Sequence, residues 1–223
     1  MNHSNKIIDK LSHKATVKQE VYRVCQTHFK DLKEVLKSLA QTLQQHIQSV
    51  DTHVEVSYID KGPFEAHLKF SGDTLIFHLH TNTFSFDKNH HIWKLNYVKE
   101  DSSRAYCGVI NVYNFLSDSL KYQRENDLGF LISRIFINKE HHFFADGHGK
   151  MSFLYNDFEQ STLSKETIQT IVEELMLYAI DFELLSPPFQ EIPPVSILQI
   201  QELSKKMKLR TAKKLGFKFS DEK

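Results

Sequence analysis

Glycine is scarce in this chain, with seven among 223 residues, about half the usual ~7% share. Phosphate-cradling loops need several glycines close together. No stretch reads G-x-G-x-x-G or G-x-x-x-x-G-K-S/T, which excludes a nucleotide-binding fingerprint. Gly147-His148-Gly149-Lys150 comes nearest. It lacks the first glycine, and Met151 stands where a hydroxyl is required. Cysteine is nearly absent as well. Cys25 and Cys107 lie in different segments and form no C-x-x-C, which excludes a disulfide scaffold and points to a reducing compartment. There is no G-x-S-x-G and no H-E-x-x-H, so neither acyl transfer nor zinc proteolysis is signalled. No cofactor is expected.

Charge of one sign does not dominate either: Lys plus Arg and Asp plus Glu are both 28. A globally basic nucleic-acid binder is excluded; a local basic patch is not. No apolar run approaches the roughly 20 residues that span a bilayer. Met1 to Val17 carries Lys6, Asp9, Lys10, His13 and Lys14, without the apolar core of a secretory signal. The expectation is a soluble, cytoplasmic protein with no membrane span.

Against these absences stand long patterned stretches. From Ala15 to Val50 the stripe positions recur every three or four residues, through Val17, Val21, Val24, His28, Leu32, Val35, Leu39, Leu43, Ile47 and Val50. No Gly or Pro interrupts them, so a long amphipathic helix is expected, after a polar, frayed segment 1–14. The period then drops to two. His53–Ile59, Phe64–Phe70 and Thr74–His80 read as strands joined by Asp60-Lys61-Gly62-Pro63 and Ser71-Gly72-Asp73 turns. Further strands are expected at Thr83–Phe86, His91–Val98, Tyr106–Tyr113, Phe130–Asn138, His141–Ala145 and Met151–Tyr155, with a short helix at Asn114–Gln123. Connections this short make antiparallel meanders. Ser164 caps a helix whose stripe runs from Ile168 to Phe182, and Pro187-Pro188 ends it. A last helix is expected over Val195–Leu215. The fold class is α+β: an antiparallel sheet of two meanders, with a long N-terminal helix and C-terminal helices packed on it. Residues 15–195 form one domain, with 99–104 the place where a division would fall, and 196–223 form a helix with a basic tail.

Three constellations are candidate sites. Lys205, Lys206, Lys208, Arg210, Lys213, Lys214 and Lys218 form a basic tail without an acid. It follows a segment, 155–195, with eight acids against one base. Such a tail can contact phosphates or an acidic partner, although a charged run is more commonly a solvated face. His67, His78 and His80 fall on neighbouring strands. Three imidazoles on one face are the ligand set of an open zinc site; the plainer alternative is a polar aromatic surface. The pairs His90-His91 and His141-His142, read as strand residues, point to opposite faces and do not chelate. Asn111 and Arg134 interrupt apolar strands. A buried Arg must be paired, either with a structural acid such as Asp118 or Glu125 or with a ligand anion; the remaining alternative is that Arg134 simply faces water. The sequence does not determine a function. The preferred reading is a non-catalytic binding or interaction protein, with a protein partner or self-association. The alternatives are a small-ligand binder or enzyme with a pocket between sheet and helices, and nucleic-acid contact through the tail.

Overall fold

The computed structural model describes residues 2–151, 155–186, 188–192, 194–206 and 218–219, with backbone alone for 185, 202–206 and 218–219. The uninterrupted helical spacing gives α2 over Thr16–Ile47. The polar segment before it is helical too. Helix α1 (His3–Lys10) runs through a π-helical turn, Leu11–Ala15, into α2. No residue of α1 is buried, so it gains nothing from packing and continues the helix that α2 nucleates. The buried line of α2 is Val21, Cys25, His28, Phe29, Leu32, Val35, Leu36 and Ala40. The expected Leu39, Leu43 and Ile47 flank it half-buried, and Val50 is exposed.

Strands β1 (Val56–Asp60), β2 (Glu65–Phe70), β3 (Asp73–Leu79), β4 (Cys107–Leu116), β5 (Phe130–Asn138) and β6 (Phe143–Gly147) form one six-stranded antiparallel sheet in chain order. The two expected meanders are thus halves of one sheet, joined where β3 pairs with β4. Ala66, Leu68, Phe70, Leu75, Phe77, Ile110 and Val112 alternate onto its first face. Helix α2 and a later helix, α5 (Lys165–Ile180), cover that face. Ser164 caps α5 as expected, its side chain accepting from Thr167 N–H. Helix α2 passes close to β4 at Gly108, where a Cβ would collide with the Cys25 side chain.

The segment between β3 and β4 is not the expected pair of strands. Phe84 makes a single bridge to Cys107. His91–Lys94 is a 3₁₀ turn and α3 (Asn96–Glu100) is a short helix. The reason is visible in the residues: Ile92, Leu95 and Val98 recur every three positions, a helical spacing. This segment covers one end of the second sheet face, where Ile92, Tyr97, Val98, Phe136, Phe144 and Phe158 form a separate core. Helix α4 (Ser117–Lys121) is shorter than expected because Asn114, Phe115 and Leu116 extend β4. Met151 is helical, and 152–154 lie outside the described residues. Helix α6 covers Ile197–Lys206, and Leu184–Leu185 (β7) pairs with Lys218–Phe219 (β8). Among the described residues no helix is long and apolar enough to cross a membrane.

Candidate functional site

Four of the five strand-borne candidates come from one sheet face, and three fall in a single row across it. The register pairs Glu65 with His78, His78 with Asn111, Asn111 with Arg134, and Arg134 with Asp146. Directly opposed residues share a face, so five polar side chains line up across β2 to β6, each about 4.8 Å from the next along the hydrogen-bonding direction. The row lies on the second face, just beyond the cover that residues 84–105 provide. It offers donors and acceptors and contains no Ser, Cys or Lys nucleophile. Its chemistry is hydrogen bonding.

Of the alternatives for Arg134, the structure shows the side chain facing solvent and not buried. It is exposed and ion-paired with Asp146, its cross-strand neighbour, rather than with Asp118 or Glu125. Its guanidinium stands 5.3 Å from the centre of the Phe136 ring. Beside it opens a cleft of about 530 Å³, lined by Phe86, His90, His91, Phe136, Phe144 and Asp146 among others. His90 stacks on Phe86 at 4.5 Å between ring centres, and His91 lies 4.4 Å from His90. Burial, reinforced by His91, holds His90 below the ordinary histidine range. The expectation that these two rings diverge rested on a strand; at the start of a 3₁₀ turn they face each other.

His67, His78 and His80 do not converge. His67 is buried and its Nε2 lies 2.7 Å from Glu65 Oε1. Its cross-strand neighbour on β3 is Ile76, while His78 opposes Glu65. His80 lies past the end of β3 and packs edge-on against Phe84, at 4.7 Å. Among the described residues no three His, Cys, Asp or Glu side chains are placed to hold a metal. In the basic tail, Lys205 and Lys206 end α6 and Lys218 opens β8. Lys208, Arg210, Lys213 and Lys214 lie outside the described residues.

Two features escaped the sequence reading. Leu184, Phe189, Ile192, Val195, Ile197, Leu198 and Ile200 are all exposed, Phe189 by 85% and Ile197 by 78%. The signal was present as a run of large apolar residues broken by prolines, which prevent one helix from burying them. The second is Asn114, a carboxamide on the inner face of the sheet. It stands opposite Leu75 and is buried beside Asp73. Comparison with family models, with curated proteins and with solved structures finds no match to this chain.

Proposed function

We propose that this protein is a non-catalytic interaction protein that associates with a second copy of itself through the apolar segment 184–200. The observation that supports this reading is the exposure of seven large apolar side chains between Leu184 and Ile200. Single exposed hydrophobes are ordinary, but a contiguous run is the mark of a contact surface. Each such side chain is worth about 1.5–3 kcal/mol when fully buried. The formal net charge of zero leaves copies without long-range repulsion. Ile7, Ile8 and Leu11 extend the apolar exposure to the opposite end of the chain. A reducing, cytoplasmic setting accompanies the reading, supported by Cys25 and Cys107, which are buried and not disulfide-bonded.

Sedimentation equilibrium across a wide concentration range tests it. The mass of the full chain is expected to rise above the monomer value. The triple variant Phe189→Ser/Ile197→Ser/Leu198→Ser is expected to stay monomeric and to match the Tm of the wild type at concentrations where the wild type is monomeric too, because these side chains support no core. A wild-type chain that stays monomeric throughout, or a triple variant that still associates, overturns the reading.

A further inference from the structure

Helix α2 has a fixed direction across the sheet. Val21 and Cys25 pack over Gly108, at the start of β4. Further along the helix, the Gln44 side chain accepts from the N–H of Val56, the residue opposite Phe70. Helix α2 therefore runs from the Cys107 end of the sheet to the Phe70 end. Helix α1 and the π-helical turn continue outward past the Cys107 end. Their eight and five residues bury nothing and extend about 20 Å at 1.5 Å per residue. Ile7, Ile8 and Leu11 share one side of this overhang and are exposed. Segment 184–200 leaves the other end. Leu184 lines a cleft with Gly72 and Leu116, and Leu116 ends β4, about 30 Å along the strand from Cys107. Both apolar groups are exposed in the same chain, so neither covers the other within one molecule.

The two groups also differ in the sign of their charge. Residues 3–14 carry Lys6, Lys10 and Lys14 against Asp9. Residues 181–200 carry Asp181, Glu183 and Glu191 with no Lys or Arg. Lys6 and Lys10, four positions apart, form a row along the edge of the apolar stripe of α1. We infer that the apolar side of α1 in one copy docks on segment 184–200 of a second copy, which rests on the association proposed above and names its other surface. Pairing like with like sets Lys6 and Lys10 against their own counterparts, and the acids of 181–200 against theirs. Pairing unlike ends replaces both repulsions with attraction while covering both apolar groups. An amphipathic helix laid on an apolar surface is a recurring mode of recognition, anchored at positions such as 7, 8 and 11. The contact is heterologous: each copy contributes a different surface.

Sedimentation equilibrium of two full-chain variants, alone and mixed, tests the pairing. Ile7→Ser/Ile8→Ser/Leu11→Ser removes one surface, and Phe189→Ser/Ile197→Ser/Leu198→Ser removes the other. All six side chains are exposed, so both variants keep the core. Each is expected to be monomeric alone. An equimolar mixture is expected to form a one-to-one pair, because each variant supplies the surface that the other lacks. Lys6→Glu/Lys10→Glu, which keeps the apolar stripe, is expected to weaken association at least tenfold. A mixture that stays monomeric at concentrations where the wild type associates overturns the pairing. So does wild-type affinity in either α1 variant. With the Phe189/Ile197/Leu198 variant monomeric, that result leaves association through 184–200 standing and removes only α1 as its counterpart. A wild type that is monomeric at every concentration removes the association itself, so the two failures are distinct.

Discussion

His28 Nε2 lies 2.9 Å from His141 Nδ1, so one hydrogen bond ties the middle of α2 to the turn between β5 and β6. The rings meet edge to face, 5.1 Å apart. His141 holds a left-handed backbone, φ 64°, to present its ring there, a conformation that non-glycine residues adopt at some cost. His28 is 5% exposed, and its Nδ1 stands 4.0 Å from Asp31 Oδ2. Lys165 at the start of α5 also holds Asp31, at 3.3 Å. The bond needs a hydrogen on one of the two nitrogens and a lone pair on the other. When both rings are protonated it becomes donor against donor.

Acidification is therefore expected to loosen this joint. Burial lowers the pKa of His28 from its ordinary 6.5, His141 lowers it further, and Asp31 offsets part of the shift. Between the lowered folded value and 6.5, the unfolded chain binds more protons than the folded one. Stability therefore rises with pH in that window and is lost as pH falls through it. The Tm of the wild type should fall between about pH 7 and about pH 5, and His28→Leu should flatten that part of the profile. Parallel profiles for the two proteins would show that the pair does not govern the acid limb.

Leu36 is the side chain on which the seating of α2 depends. It has no exposed surface and sits in the main core with Phe29, Leu32 and Ala40. Leu36→Ala is expected to cost about 2–5 kcal/mol, transfer and cavity terms together. Leu39→Ala, half-buried at the flank, should cost clearly less. Denaturant unfolding of both variants checks the order, and an equal loss would mean that the helix is seated differently.

The contrast between Leu36 and Leu39 shows how far the sequence was legible. Spacing alone located the helix, because apolar residues without Gly or Pro over 32 positions have few other solutions. It did not locate the centre of the buried arc. A helix crossing several strands buries a wide arc, and hydropathy weighs Leu39 and Leu36 alike. Strands β1 to β3 were legible because alternation and turn residues agree there. The segment after β3 was not, since Ile92, Leu95 and Val98 satisfy a short helix within a stretch that turns also bound. Asn111 and Asn114 illustrate the limit for sites. They lie three residues apart on β4 and so take opposite faces, one opposing His78 and the other Leu75. Which of those faces is the core depends on what β3 packs against, and no local pattern carries that. The row from Glu65 to Asp146 is likewise a product of register, invisible until five strands are aligned.

The basic tail offers the last test, because its end is built into the fold. Lys218–Phe219 pairs with Leu184–Leu185, which brings the tail's end back beside the acid-rich 155–195 segment. A two-residue pairing adds few hydrogen bonds, each worth about 0.5–1.5 kcal/mol net. Exposed charge pairs add little more and are screened by salt. Truncation after Ser204 removes this pairing and should lower Tm by about 2–4 °C, the shift that 1 kcal/mol produces in a chain of this size. The loss should be larger at low ionic strength than at high. Nucleic-acid contact makes the opposite forecast. Seven cations engaged on a duplex would give a log–log salt slope of about −6, and truncation would abolish binding without touching Tm. Melting at two ionic strengths and a duplex titration on the same two proteins separate these outcomes. Submicromolar, salt-sensitive duplex binding that disappears on truncation, with Tm unchanged, would assign the tail to nucleic acid instead of to the fold.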